Sequence, residues 1–72
     1  MRLEYDRESD AAYLYLVANV GPGASARVVV CDLDAQNASV HLDIDRDGRI
    51  LGIEMLGASQ LLHPETLATA HG

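Results

Sequence analysis

The sequence predicts an α+β fold: a small antiparallel β-sheet of 4–5 strands, built from hairpins and followed by a short C-terminal helical segment. Three observations carry this. Residues 40–55 alternate apolar and polar with period two on both sides of an Asp-Gly pair, the strongest short-range hairpin signal. Val28-Val29-Val30 is a run of β-branched side chains, whose restricted χ1 suits a strand better than a helix. Beyond Gly57 the period changes, and Pro64 sits where a helical turn can begin.

Residues 2–5 open the chain as a strand with Leu3 and Tyr5 on one face. The polar cluster Asp6-Arg7-Glu8-Ser9-Asp10 makes the turn into a second strand over residues 11–17. Leu14 and Leu16 share one face of that strand; Tyr13, Tyr15 and Val17 share the other. Gly21-Pro22-Gly23 breaks the chain within a loop of small residues. Arg27–Cys31 follows as a third strand, apolar on both faces, whose partner the pattern leaves open. After a polar connector over residues 32–37, Val40, Leu42 and Ile44 face the same way. So do Leu51, Ile53 and Met55 beyond the turn. With Asp47-Gly48 as a two-residue loop, Ile44 faces Leu51, Leu42 faces Ile53 and Val40 faces Met55, which fixes one continuous aliphatic face. Gly52, opposite Asp43, leaves a gap able to seat a tyrosine ring or a ligand. Short helical turns over residues 58–62 and 64–70 are too brief to stand alone and must dock through Leu61, Leu62 or Leu67.

Two segments resemble a family of small bacterial domains of unknown function, the DUF2283 family. The first is Tyr5-Asp6-x-Glu8-x-Asp10-Ala11-x-Tyr13-Leu14-x-Leu16. The second is Asp43-x-Asp45-x-Asp47-Gly48-x-x-x-Gly52-Ile53-Glu54-Met55-Leu56-x-Ala58-Ser59. The resemblance implies a single domain over the chain, with a compact antiparallel sheet and a C-terminal helical segment, and it brings no catalytic or binding residue with it. The connector over residues 32–37 is longer than the family pattern. Members of such a family can sit beside small toxin-like genes, so the resemblance also admits an antitoxin-like role.

Composition removes whole classes of function. The 72 residues hold five arginines, no lysine and eleven acids, for a net charge of −6. Binding nucleic acid by counterion release needs the opposite balance, and so does binding an anionic membrane surface. No apolar run approaches the roughly 20 residues that cross a bilayer, and no signal peptide is expected. The lone Cys31 cannot staple the fold internally, which fits a reducing cytoplasm.

The chemical motifs are weaker than they look. Asp43-x-Asp45-x-Asp47-Gly48-x5-Glu54 satisfies the EF-hand pattern, yet its flanks alternate as strands where that site needs helices. In a hairpin, Glu54 stands too far along the opposite strand to share an ion with Asp47. His41, Asp43, Asp45 and Glu54 would still share a polar face, as a Zn²⁺ or Mn²⁺ site if they converged or as a solvated acidic face with an ordinary His41–Glu54 pair. Asp6 and Asp10 suit local turn hydrogen bonds better than acid–base chemistry. Cys31, with His41 as its base, is the one nucleophile pairing, but it ends a valine run with no cation beside it. No catalytic, cofactor or metal residue is assigned.

The expected function is a non-enzymatic domain that self-associates, as a dimer through an apolar sheet face. The alternatives are an antitoxin-like acidic partner of a small basic protein, and a metal-dependent enzyme or metal-binding module on the acidic hairpin face. The charge balance makes its own prediction. A mobility-shift assay at low salt will show no tight complex with duplex or single-stranded nucleic acid, and a tight complex would overturn the electrostatic argument.

Overall fold

The computed structural model describes residues 1–72 and contains five antiparallel strands and two short helices. The strands are β1 (Arg2–Asp6), β2 (Ala11–Tyr15), β3 (Arg27–Cys31), β4 (Ser39–Ile44) and β5 (Ile50–Leu56); the helices are α1 (Ala58–Leu61) and α2 (Pro64–Leu67). The expected α+β class holds. The sheet order is β1-β2-β5-β4-β3. β3, β4 and β5 follow one another as hairpins, while β2 reaches its place beside β5 by the long connection from β2 to β3. That is a Greek key with β1 added as a hairpin. The partner of β3, open in the sequence, is β4, with Val29 opposite Leu42.

The β4–β5 hairpin corrects one detail of the expected register. Leu42 faces Ile53 and Val40 faces Met55, but Ile44 pairs with Ile50 across a bulge. The loop has three residues rather than two. Gly48 N–H donates to Asp45 C=O at 3.0 Å, and Asp45 N–H donates to Arg49 C=O at 2.8 Å. Gly48 has φ +83°, whereas Asp47 is not among the positive-φ residues, so the turn cannot be the type I′ that a two-residue Asp-Gly loop adopts. The side chain of Asp45 tips the balance. Its Oδ1 accepts Asp47 N–H and Arg49 N–H, each at 2.9 Å, and so holds the wider loop closed.

Alternation gives the sheet two different faces. Leu3, Tyr5, Ala12, Leu14, Ile53, Met55 and Val40 turn toward the helices, where they gather with Ala58, Leu61, Leu62 and Leu67 around a buried trio of Ala12, Met55 and Ala58. Ala12 and Ala58 are small where α1 meets the sheet, which brings helix and strand close. The cover is partial. Ile44 and Leu51 are buried, but Val28, Val29 and Val30 of β3 are 54, 37 and 63% exposed. The double-sided apolar character of β3 therefore marks an edge strand bare on both faces, not one buried within its own chain. The second strand ends at Tyr15 rather than Val17, although Leu16 N–H still donates to Leu51 C=O at 3.0 Å.

One residue ties the first hairpin to the helices. Asp10 has φ +55°, a left-handed conformation that aspartate tolerates better than most residues. Its C=O accepts Gly57 N–H and Ala58 N–H, both at 2.9 Å. Its carboxylate accepts Ser59 N–H at 3.0 Å, Ser59 Oγ–H at 2.7 Å and the Tyr5 phenol at 2.7 Å. α1 has no capping side chain of its own, and Asp10 supplies the missing acceptors from 49 residues away. The hydrogen bonds from Ser59, then from Tyr5, hold the Asp10 carboxyl below the ordinary aspartate value. A lowered folded-state value stabilises the fold above the unfolded-chain pKa of about 4, and that stabilisation is lost as pH falls through the folded value. Asp10→Asn will therefore lower the melting temperature at pH 7, and the gap from the parent protein will narrow below about pH 4. Equal melting temperatures at pH 7 would remove Asp10 from this role.

Candidate functional site

The face away from the helices carries every residue for which the sequence suggests chemistry except Cys31, Asp10 and the turn acids. Strand register arranges it in two rows across the sheet. Glu4, Tyr13, Glu54, His41 and Val30 form one; Arg2, Tyr15, Gly52, Asp43 and Val28 form the other.

Gly52 organises the centre. A Cβ there would lie 2.4 Å from Tyr13 Cε1 and 2.6 Å from the Tyr13 hydroxyl. The bare backbone lets the Tyr13 ring cross diagonally from β2 over β5, and its hydroxyl donates to Asp43 Oδ2 on β4 at 2.5 Å. The gap anticipated at Gly52 thus seats a tyrosine. Burial first, and then the hydrogen bond to Asp43, push the Tyr13 phenol well above its ordinary pKa, so it stays a neutral donor. The other oxygen, Asp43 Oδ1, accepts Ser25 Oγ–H at 3.3 Å. On the flank, Tyr15 lies 4.6 Å from the Tyr13 ring centroid, and the Arg2 guanidinium stacks 4.0 Å over Tyr15. Arg2 Nε also meets Glu4 Oε2 at 2.9 Å, an exposed pair of small worth.

The ion-binding constellation does not assemble. Asp43 is occupied by Tyr13 and Ser25, and Asp45 Oδ1 is turned into its own loop. His41 Nδ1 approaches Glu54 Oε1 only to 4.0 Å, while its Nε2 meets Ser39 Oγ at 3.0 Å. No group of three His, Cys, Asp or Glu side chains is placed to hold an ion. The EF-hand spacing is read across a hairpin, which spreads its carboxylates along two strands.

Other candidates resolve as structural parts. Asp6 Oδ1 accepts Glu8 N–H at 3.1 Å and its Oδ2 accepts Ser9 Oγ–H at 2.9 Å, closing the first turn. Cys31 shares a register position with Val40, and His41 one with Val30, so the thiol and the imidazole stand on opposite faces of the sheet. A feature with no signal in the sequence is an open depression of about 990 Å³ beside β1, walled by Glu4, Asp6, Glu54, Leu67 and His71. It forms because residues near His71 return to β1: His71 N–H donates to Leu3 C=O at 2.9 Å, and Tyr5 N–H donates to His71 C=O at 2.7 Å.

These features define a class: a small Greek-key sheet domain with a helical cover on one face and a polar face whose central groups satisfy one another. The family model for DUF2283, described as a protein of unknown function, matches residues 2–59, and the chain belongs to that family. The match takes in all five strands and ends at Ser59, the residue that binds Asp10. No curated protein and no solved structure matches the chain. No helix is long and apolar enough to cross a membrane.

Gly52→Ala tests the centre of this face. The added methyl must displace the Tyr13 ring and break its bond to Asp43, at a cost of about 1–3 kcal/mol. Chemical denaturation will show that loss, while Tyr13→Phe in the Gly52→Ala background will cost little more because the hydrogen bond is already gone. Full stability of Gly52→Ala would mean the ring is not seated over β5.

Proposed function

We propose that the chain is a non-enzymatic interaction domain that works by associating with itself through its uncovered aliphatic surface. The observation carrying this reading is the amount of surface left bare. The folded chain exposes 5116 Å², against about 4,300 Å² for a monomer of its 7.7 kDa mass. The excess, about 800 Å², is what one partner contributes to a standard interface. The radius of gyration, 12.2 Å, likewise exceeds the value of about 11 Å for a compact chain of this length. Val28, Val29, Val30 and Leu33 concentrate the bare apolar surface at the β3 end of the sheet, where neither helix reaches.

A second copy supports the fold as well as covering it. Only six residues are buried, so the core of the isolated chain is thin, and association would add to it. The acidic depression beside β1 favours a second reading, an antitoxin-like hold on a small basic protein. Light scattering on the purified chain at micromolar concentration distinguishes the two. A mass of two chains, or a larger even number, is the expected result. A mass of one chain removes the self-associating reading and leaves the heteromeric one.

A further inference from the structure

The open edge of β3 can be defined atom by atom. In the β2–β5 ladder, Leu16 N–H donates to Leu51 C=O and Gly57 N–H to Asp10 C=O. Backbone groups alternate in direction along a strand. The β5 residues turned toward β4 are therefore Gly52, Glu54 and Leu56, opposite Asp43, His41 and Ser39. That leaves Val40, Leu42 and Ile44 turned toward β3, where they meet Cys31, Val29 and Arg27. Val28 and Val30 must then direct their N–H and C=O groups out of the sheet. The same alternation at the other edge turns Leu3 and Tyr5 outward, and those are the residues His71 binds. One edge is closed within the chain. The other is open.

We infer that β3 pairs antiparallel with β3 of a second copy about a two-fold axis at Val29, joining two five-stranded sheets into one. This rests on the self-association reading and names the surface that carries it. In this register Val28 lies opposite the second copy's Val30, and the two exchange N–H···O=C bonds in both directions. Val28 and Val30 of both copies cluster on one face, and the two Val29 side chains meet on the other.

The strand is self-complementary in charge as well as shape. Arg27 is its only charged residue, and it falls opposite the partner's Cys31, so no like charges meet. Elsewhere the chain carries eleven acids, two of them on the opposite edge strand, β1. Within the strands themselves, β3 brings no acid to such a pairing, whereas β1 would bring Glu4 and Asp6. Edge strands are commonly blunted by charge, proline or a bulge. The centre of β3 has none of these.

Hydrogen exchange and one proline substitution test the pairing. In the parent protein, at concentrations where two chains associate, the Val28 and Val30 amides will exchange slower than free amides by on the order of 100-fold. Val30→Pro removes an outward N–H and leaves the β3–β4 ladder whole. It will retain the parent's circular dichroism while its mass falls to that of one chain. A mass of two chains with fast exchange at both valines, or an undiminished mass for Val30→Pro, overturns the edge pairing while self-association stands. A parent mass of one chain overturns both.

Discussion

The fold depends on a junction between residues far apart in sequence. Asp10 sits at the end of the first turn, in a conformation that few side chains accept, and presents both a carbonyl and a carboxylate to the start of α1. The helix is four residues long and could not hold together alone. Its first N–H groups are satisfied only because β2 lies beside β5, which brings the β1–β2 turn to the residue following the sheet. Tyr5 then closes the arrangement from β1. Sheet order, helix position and the buried trio of Ala12, Met55 and Ala58 are consequences of one another through this contact.

Much of this was legible in the sequence because its cause is local. Period two over residues 40–55 located β4 and β5 and the pairing of Leu42 with Ile53, since a shift of one residue would reverse every side chain. The valine run located β3, and Gly52 announced a close approach. The loop length escaped although its cause is local: the Asp45 carboxylate captures two amides of the turn and widens it, in competition with the two-residue Asp-Gly turn. The rest of what escaped has nonlocal causes. The neighbour of β2 is set by β5, far downstream in the sequence. The bond of His71 to β1 leaves no period at all. On the candidate site, residue types were readable but their commitments were not: Asp43 looks like a free ligand until Tyr13 is seen to cross β5 to reach it.

The two faces show how the same strands serve different ends. Toward the helices, partly buried aliphatic side chains gather around Ala12, Met55 and Ala58. On the other face, tyrosine, aspartate, glutamate, histidine and arginine neighbour one another, yet the central carboxylate has both oxygens engaged and the central phenol is held neutral. The Tyr13–Asp43 bond ties β2 to β4 across β5. The unpaired apolar and backbone groups lie at one end, on the edge strand β3.

The Greek-key path sets the order in which the molecule can be made. β1 and β2 form a hairpin from the first fifteen residues, but an isolated two-stranded hairpin is marginal in water, and its stabilising neighbour is β5. Everything between, including the exposed valines, must be synthesised before that neighbour exists. As the chain leaves the ribosome, the first hairpin gains that neighbour only once residues 52–56 emerge, so its folding is dominated by distant contacts. For that interval the bare β3 sequence depends on dilution, or on a chaperone, to stay unpaired.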